Sequence, residues 1–453
     1  MSSATNCTCL PASGATLSRR RLLTGGLAVA GCAALPGAAR ARLALGPLFA
    51  AAPALQRAIF AATQARRVFR LPPGVTRTSG LVLPDGARLA GAPRGSALRL
   101  AGPGPLLSAA HGARISLSGL TLDGGAAKLD ASHGLIDFHD IAHAAIEGCT
   151  IRRAGGIALR LERCGGVIRQ CRIEGSGRSA LFSLDAAGLV IEDNIIADCG
   201  DNGLQVWRSQ QGFDGTLLKG NRISGIRNVS GGAGQYGNGI SVFRAGGVTA
   251  SGNTINRVAY SALRNNSGHD VTFSGNDCSD CGETAIFAEF AFRNAVINDN
   301  RIDGALSGIQ MVNFADAGGR GALCTGNHIR NLRLPSDGAG RQWGYQAAIK
   351  AEADALVAGN EIAGAPWMGV MAGWGPSLDA VRVEHNRIAG APIGIGVSVA
   401  PGAGRASVTG NLIAGASLAA VAAMLWDKVD SADLAADAGA RFPLITVAGN
   451  RAA

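Results

Sequence analysis

The sequence predicts an all-β fold, a single-stranded right-handed parallel β-helix with an N-terminal helical cap. Three observations carry the prediction. One step recurs along most of the chain, seen most plainly at Leu189-Val190-Ile191-Glu192-Asp193-Asn194-Ile195-Ile196 and then Gly203-Leu204-Gln205-Val206. It is centred in turn on Cys149, Cys171, Asn194, Asn221, Asn253, Asn276, Asn300, Asn327, Asn360, Asn386, Asn411 and Asn450, at intervals of 22 to 39 residues. A repeat of this length points to a solenoid before any other pattern is read. Each step also holds three short runs of alternating apolar residues between Gly, Asn, Asp and Ser turns, with no room for a connecting helix. Finally, a lone three-strand turn cannot bury that many apolar groups, whereas copies stacked at about 4.8 Å can.

Within the Asn194 step the inward residues are expected to be Leu189, Ile191, Asn194, Ile196, Leu204 and Val206. An inward Asn at one corner of every coil needs partners for its amide, and the Asn residues above and below supply them as a ladder. Cys149 and Cys171 take the same position as small residues that tolerate burial. The composition agrees: 66 Gly, few aromatics and 16% charged residues suit many tight turns around an apolar core.

Taken in order, residues 1–41 read as an export signal. Ser18-Arg19-Arg20-Arg21-Leu22-Leu23 precedes a short apolar stretch and then Ala39-Arg40-Ala41, a positive region, a brief hydrophobic region and a small-residue cleavage site. Arg19 and Arg20 resemble the twin-arginine pair that exports folded proteins. Val29-Ala30-Gly31-Cys32 offers an alternative, a lipid-modified Cys32 and hence membrane anchorage. The four arginines of residues 1–41 have no acidic counterpart, so cleavage there lowers the formal charge from +10 to +6. That mild excess suits an acidic polymer only weakly, and no Lys/Arg run with interleaved aromatics suggests nucleic acid.

Residues 42–114 read as the cap. Pro53 to Ala62 has helical spacing of apolar residues, and Pro/Gly-punctuated strands follow. Coils are expected from residue 115 to residue 415. Residues 416–453 form a last coil and cap, with a helix around Asp433 to Ala438. Seven cysteines lie beyond the leader, and folding before export removes any need to pair them. Cys278-Ser279-Asp280-Cys281 has metal-site spacing, but no second pair completes a zinc site.

At this point the chain resembles a family. The twin-arginine start, Leu71-Pro72-Pro73-Gly74, Gly203 to Trp207, Gly234-Gln235-Tyr236-Gly237-Asn238-Gly239 and Ala285 to Glu289 are similar to the twin-arginine-translocated repeat proteins of bacteria. The resemblance covers nearly the whole chain. It implies export and a right-handed β-helix of pectin-lyase-like architecture, and it transfers no catalytic residue, so function has to be argued from the site.

The third strand of each coil is where a site is expected. Counted from its Gly or Ala, the second and fourth residues onward point out. The first outward column reads Ala158, Phe182, Gln205, Ser241, Arg264, Phe287, Gln310 and Lys350, and the second reads Arg160, Leu184, Trp207, Phe243, Asn266, Glu289, Val312 and Glu352. Amides bond sugar hydroxyls and aromatic faces stack on sugar rings, so Gln205, Trp207, Phe243, Asn266, Phe287 and Gln310 are candidates for binding a polysaccharide. Two long insertions, Arg227–Asn238 and Leu332–Gln346, precede the third strand at the same corner and bring Tyr236, Trp343 and Tyr345. Long loops beside a rigid face often wall a site.

Three outcomes are open on that face. A uronate lyase or epimerase needs cations and a proton acceptor, for which Arg264, Lys350 and Tyr236 or His269 are candidates. An inverting glycoside hydrolase needs two carboxylates, for which Glu289 and Glu352 are candidates. Otherwise the same charges are ordinary ion pairs on a binding surface or scaffold. His133, His139 and His143, with Asp137 and Asp140, fit no metal signature. No metal or cofactor is therefore expected. The expectation is an exported monomer facing periplasmic or surface polysaccharide.

Overall fold

A computed structural model describes residues 53–130, 132–334 and 347–452. Arg19, Arg20 and Cys32 lie outside the described residues, as do Trp343 and Tyr345. The described chain is a right-handed parallel β-helix. One face is a 15-stranded parallel sheet of second strands, running from Gly74–Thr78 to Arg451–Ala452. The first and third strands build the other two faces. These count as one 28-stranded sheet because Leu107–Ser118 and Gly134–Glu147 run unbroken around the corner between them. Gly134–Glu147 accordingly pairs with Ile157–Glu162 through its first half and with Gly166–Arg169 through its second.

The corner between first and second strands shows why the repeat has its sequence. The residue before each ladder position has positive φ: Gly148, Gln170, Asp193, Gly220, Gly252, Gly275, Asp299, Gly326, Gly359, His385, Gly410 and Gly449. Gly and Asp adopt this left-handed conformation at little cost. It turns the chain so that the next side chain points inward. Each ladder Asn then binds its neighbour twice. Asn276 Oδ1 accepts from Asn253 N (3.0 Å) and Asn253 Nδ2 (2.9 Å), and Asn276 Nδ2 donates to Asn300 Oδ1 (2.9 Å) and Ala250 O (3.0 Å). The same pattern runs from Asn194 to Asn450. At its N-terminal end Cys171 N donates to Asn194 Oδ1, and the Cys171 and Cys149 thiols lie buried where the amides would. The expected inward set, Leu189, Ile191, Asn194, Ile196, Leu204 and Val206, is buried.

Parallel pairing already begins inside residues 42–114, with Phe69–Arg70 on Arg88–Ala90 and Gly74–Thr78 on Ser96–Leu100. Ahead of these coils the helix Pro53–Gln64 buries Ile59 against the core. Its Gln56 amide donates to Val82 O (2.7 Å) and accepts from Val82 N (3.0 Å), occupying an open strand edge. At the other end the helix Leu434–Arg441 is capped by Asp433, whose carboxylate accepts from Ala436 N. It buries Leu434 and leads into the last first-strand, Ile445–Ala448.

The seven described cysteines are all reduced and buried. Burial pushes the Cys281 thiol up to about 12 and Cys278 well above its ordinary value, so neither is a ready thiolate ligand. Among the described residues no group of His, Cys, Asp and Glu is placed to hold a metal ion, and no helix is long and apolar enough to cross a membrane.

Candidate functional site

The third-strand sheet keeps the predicted columns from Phe182 onward. Phe182, Gln205, Ser241, Arg264, Phe287, Gln310 and Lys350 pair in successive coils. So do Leu184, Trp207, Phe243, Asn266 and Glu289. The first coil differs. Phe182 pairs with Arg160 and Leu184 with Glu162, so Arg160 belongs to the first column and Ala158 to neither. A slip of two residues preserves which side chains face inward, and an alternating pattern is blind to it.

The corrected register carries the columns further, to Asp137 and His139. These residues form one charged network. His139 Nε2 lies 2.8 Å from Asp137 Oδ1 and its Nδ1 lies 3.3 Å from Glu162 Oε2, while Arg160 reaches both Asp137 (3.2 Å) and Glu162 (2.6 Å). His133 Nδ1 approaches Asp137 Oδ2 at 3.0 Å. Burial would raise the Asp137 carboxyl, but the His139 hydrogen bond and the Arg160 charge outweigh it and hold it below the ordinary value. His143 lies on the same strand past the corner, paired with Arg114.

In the middle of the face, Arg264 is enclosed. Its Nε and Nη2 donate to Glu289 Oε1 and Oε2 (2.7 and 2.9 Å), its Nη1 donates to Glu283 (3.0 Å), and its guanidinium lies 4.8 Å from the Phe287 ring centre. Asn266 adds a longer bond to Glu289, at 3.3 Å. Burial works against the Arg264 charge, but Glu289 and Glu283 more than restore it, so the guanidinium stays charged above its ordinary range. Two coils beyond Glu289, Glu352 Oε2 accepts from Phe314 N (2.9 Å) and Asn313 N at the start of the short helix Phe314–Ala317. Its other oxygen faces Lys350 Nζ at 3.5 Å, and Lys350 in turn lies over the Trp374 ring. Gln310 donates to Ser307 Oγ (3.1 Å). Ser241, Arg264, Phe287, Glu289, Gln310, Lys350 and Glu352 are all no more than 6% exposed.

The accessible part of the face lies one step toward the N-terminus. Trp207 meets Phe182 edge to face and Phe243 at a tilt, each with ring centres 5.5 Å apart. Trp207 Nε1 donates to Ser241 Oγ (3.2 Å). All three aromatics are half-buried, as is Asn266. In the adjoining column Gln205 pairs with Phe182 and Ser241, is 4% exposed, and has no side-chain hydrogen bond to another described residue. An amide at the edge of the surface in that position can bond a group outside the chain.

Insertions flank this sheet on both edges. On one edge the segment 227–238 is tied down by Asp201, which accepts from Ser230 N (2.8 Å), Ser230 Oγ (2.7 Å) and Arg178 Nε (3.1 Å). Asn238 N donates to Asn202 Oδ1 (2.8 Å). Gly234 packs directly on the Arg264 guanidinium, so closely that an added Cβ would stand 2.3 Å from Nη1. Tyr236 turns the other way, toward Arg178, whose Nη2 donates to its hydroxyl at 3.3 Å. The structure thus does not bring Tyr236 onto Arg264. His269 also stands apart, bonded to Asp270.

The opposite edge escaped the sequence reading. The strand Leu204–Phe213 bulges between Trp207 and Gly212. Ser209 N and Oγ donate to Asp185 (2.9 and 2.8 Å), and Gln211 Nε2 reaches Ser267 O (2.9 Å). Together they make a strap across several coils. A signal was present: Gly203 to Asn221 spans 18 residues, where Gly239 to Asn253 spans 14. The gaps before the third strand carry no trace of it.

A family described as the right-handed β-helix region matches residues 134–229 and 211–341. No curated protein sequence matches the chain. Solved structures with similar folds include the catalytic unit of a thermostable GH87 α-1,3-glucanase from Streptomyces thermodiastaticus, at 16% identity over 88% of this chain and 65% of that one (TM-score 0.47). The pre-mature gene product 12 of bacteriophage phi29 aligns at 14% identity over 81% of this chain and 52% of that one (TM-score 0.49). The A-module of the mannuronan C-5 epimerase AlgE6 from Azotobacter vinelandii aligns at 17% identity over 88% and 94% (TM-score 0.42). This chain therefore spans less than two thirds of the length of the first two.

Proposed function

We propose that this protein is an exported polysaccharide-binding β-helix whose ligand lies on the third-strand face over Phe182, Trp207 and Phe243. The observation that carries the reading is the aromatic ladder with the Gln205 amide in the adjoining column. Half-buried rings at successive coils offer stacking surfaces in line, and the amide offers a directed hydrogen bond to a hydroxyl. Such a row suits an extended chain of rings better than a compact small molecule.

Binding fits the geometry better than turnover by the residues first suspected. Glu289 is neutralised by Arg264 and Glu352 holds a helix start, so neither is free to act on a glycosidic bond as the face stands. Arg264 and Lys350 are likewise engaged inside the protein. A second reading, acid–base processing of the bound chain, draws on His139. This partly exposed imidazole is oriented by the buried Asp137 carboxylate on the same columns as the ladder.

A glycan panel tests both readings. Wild-type protein should bind one or more extended polysaccharides, and Trp207→Ala should weaken that binding by about tenfold or more. Failure of any polysaccharide to bind would sink the proposal. New reducing ends or unsaturated products that vanish in His139→Ala would establish processing. The same loss in Arg264→Ala or Glu289→Ala, with the fold intact, would move the chemistry to the enclosed cluster. Export rests on Arg19 and Arg20, and replacing both by Lys should leave the protein in the cytoplasm of a host with twin-arginine transport.

A further inference from the structure

The arginines on and around the third-strand face divide into two groups. Arg160 faces Asp137 and Glu162, Arg163 faces Asp140 and Glu162, Arg178 faces Asp201, and Arg264 faces Glu289 and Glu283. Among the described residues Arg208 and Arg244 have no such partner. Arg208 Nη1 makes one long contact with Ala186 O (3.5 Å) and its buried Nε donates to nothing. Arg244 donates to Ser209 O (3.0 Å) and lies 4.7 Å from the Phe243 ring centre. Both follow an aromatic directly in sequence, Arg208 after Trp207 and Arg244 after Phe243, and those two aromatics pair across adjacent coils. These two cations therefore stand at the end of the ladder's two consecutive steps.

From this we infer that the ligand is an anionic polysaccharide, whose rings stack on Trp207 and Phe243 while its carboxylates or sulfates meet Arg208 and Arg244. The inference rests on the polysaccharide reading above and adds the charge of the polymer. The coil spacing of about 4.8 Å is near the length of one pyranose unit, so each coil presents one ring face and one guanidinium. A planar guanidinium with its donors uncommitted suits an oxyanion, and Arg244 keeps donors free beyond the one on Ser209 O. The chain pairs Arg160, Arg163, Arg178 and Arg264 with its own carboxylates, whereas Arg208 and Arg244 place positive charge beside the ladder. Asp214 is buried beneath this surface: burial raises its carboxyl and the nearby Arg208 charge lowers it, and no ion pair joins the two.

The test uses a polyuronate, the same polymer after carboxyl reduction, and a sulfated glycan, each titrated against the mature protein. The polyuronate or the sulfated glycan should bind on the order of tenfold more tightly than the reduced polymer, with a preference that shrinks as salt rises. Binding of only one acidic polymer identifies which oxyanion is read, and either result supports the inference. Arg208→Gln with Arg244→Gln should abolish the preference and leave the weaker, Trp207-dependent binding. The double Lys variant should keep part of the preference, separating loss of charge from loss of fold. Equal binding of polyuronate and its reduced form, or a preference that survives the Gln variants, overturns the inference and leaves polysaccharide binding standing. No binding to any of the three overturns both.

Discussion

Arg264 and Glu289 meet in adjacent coils through two parallel hydrogen bonds of 2.7 and 2.9 Å, with both side chains almost wholly out of solvent. Breaking such a pair from one side leaves a buried charge uncompensated, whereas replacing both partners by apolar groups removes the penalty. Arg264→Met should therefore destabilise the protein by about 3–5 kcal/mol, and Arg264→Met with Glu289→Met should recover most of the loss. Chemical denaturation of the three proteins measures this. A double variant no better than the single would show that the pair contributes more than mutual neutralisation.

Gly234 rests on the same guanidinium with φ of +113°. Gly234→Val adds both a Cβ that overlaps Arg264 and a backbone conformation that a β-branched residue resists. The segment 227–238 should lift from the face. Proteolytic cleavage within that segment should appear in the variant while the coils stay intact, and an unchanged digestion pattern would contradict the packing.

The asparagine ladder should be worth most in its interior. Asn276→Ala strips partners from Asn253 N, Asn253 Nδ2 and Ala250 O, all buried. At about 1–3 kcal/mol for a stranded buried group, the loss should reach roughly 3 kcal/mol or more. Asn450 serves the corresponding three groups, Asn411 N, Asn411 Nδ2 and Val408 O, but at the partly exposed end of the ladder, where water can take its place. Asn450→Ala should cost clearly less in the same denaturation assay.

Asp123 predicts an acid limb to stability. Burial alone would raise its carboxyl. The Arg153 hydrogen bond, the Gly125 N–H and the charges of Arg153 and Arg152 outweigh that and hold it at about 2, against an ordinary value of 3.8. Because the folded-state value is the lower one, the contribution is complete above pH 4 and is lost as pH falls toward 2. Wild-type stability should drop through that window. Asp123→Asn should be less stable at neutral pH and show a shallower acid decline, a difference that thermal melts at pH 2 to 7 would reveal.

The sequence by itself determined the coil. The period-2 runs assign Leu189, Ile191, Leu204 and Val206 to the interior, and the recurring Asn assigns one corner, because each is set by neighbours within a single step and then repeated. It also set the outward columns from Phe182 on. What covers those columns was decided by tertiary structure alone. In sequence Glu289 and Glu352 read either as a pair of acids or as solvated ion pairs with Arg264 and Lys350; that these groups are buried, and that the Asn313 and Phe314 N–H groups bind Glu352 from 39 and 38 residues away, follows only from the fold. Coil lengths vary, so which residues become neighbours across coils depends on the sum of every insertion between them. The slip at Arg160, the strap from Arg208 and the enclosure of Arg264 all follow from that, and together they move the accessible site to Trp207 and Phe243. Alternation fixes which way a side chain points, and only the stacked coils fix what it meets there.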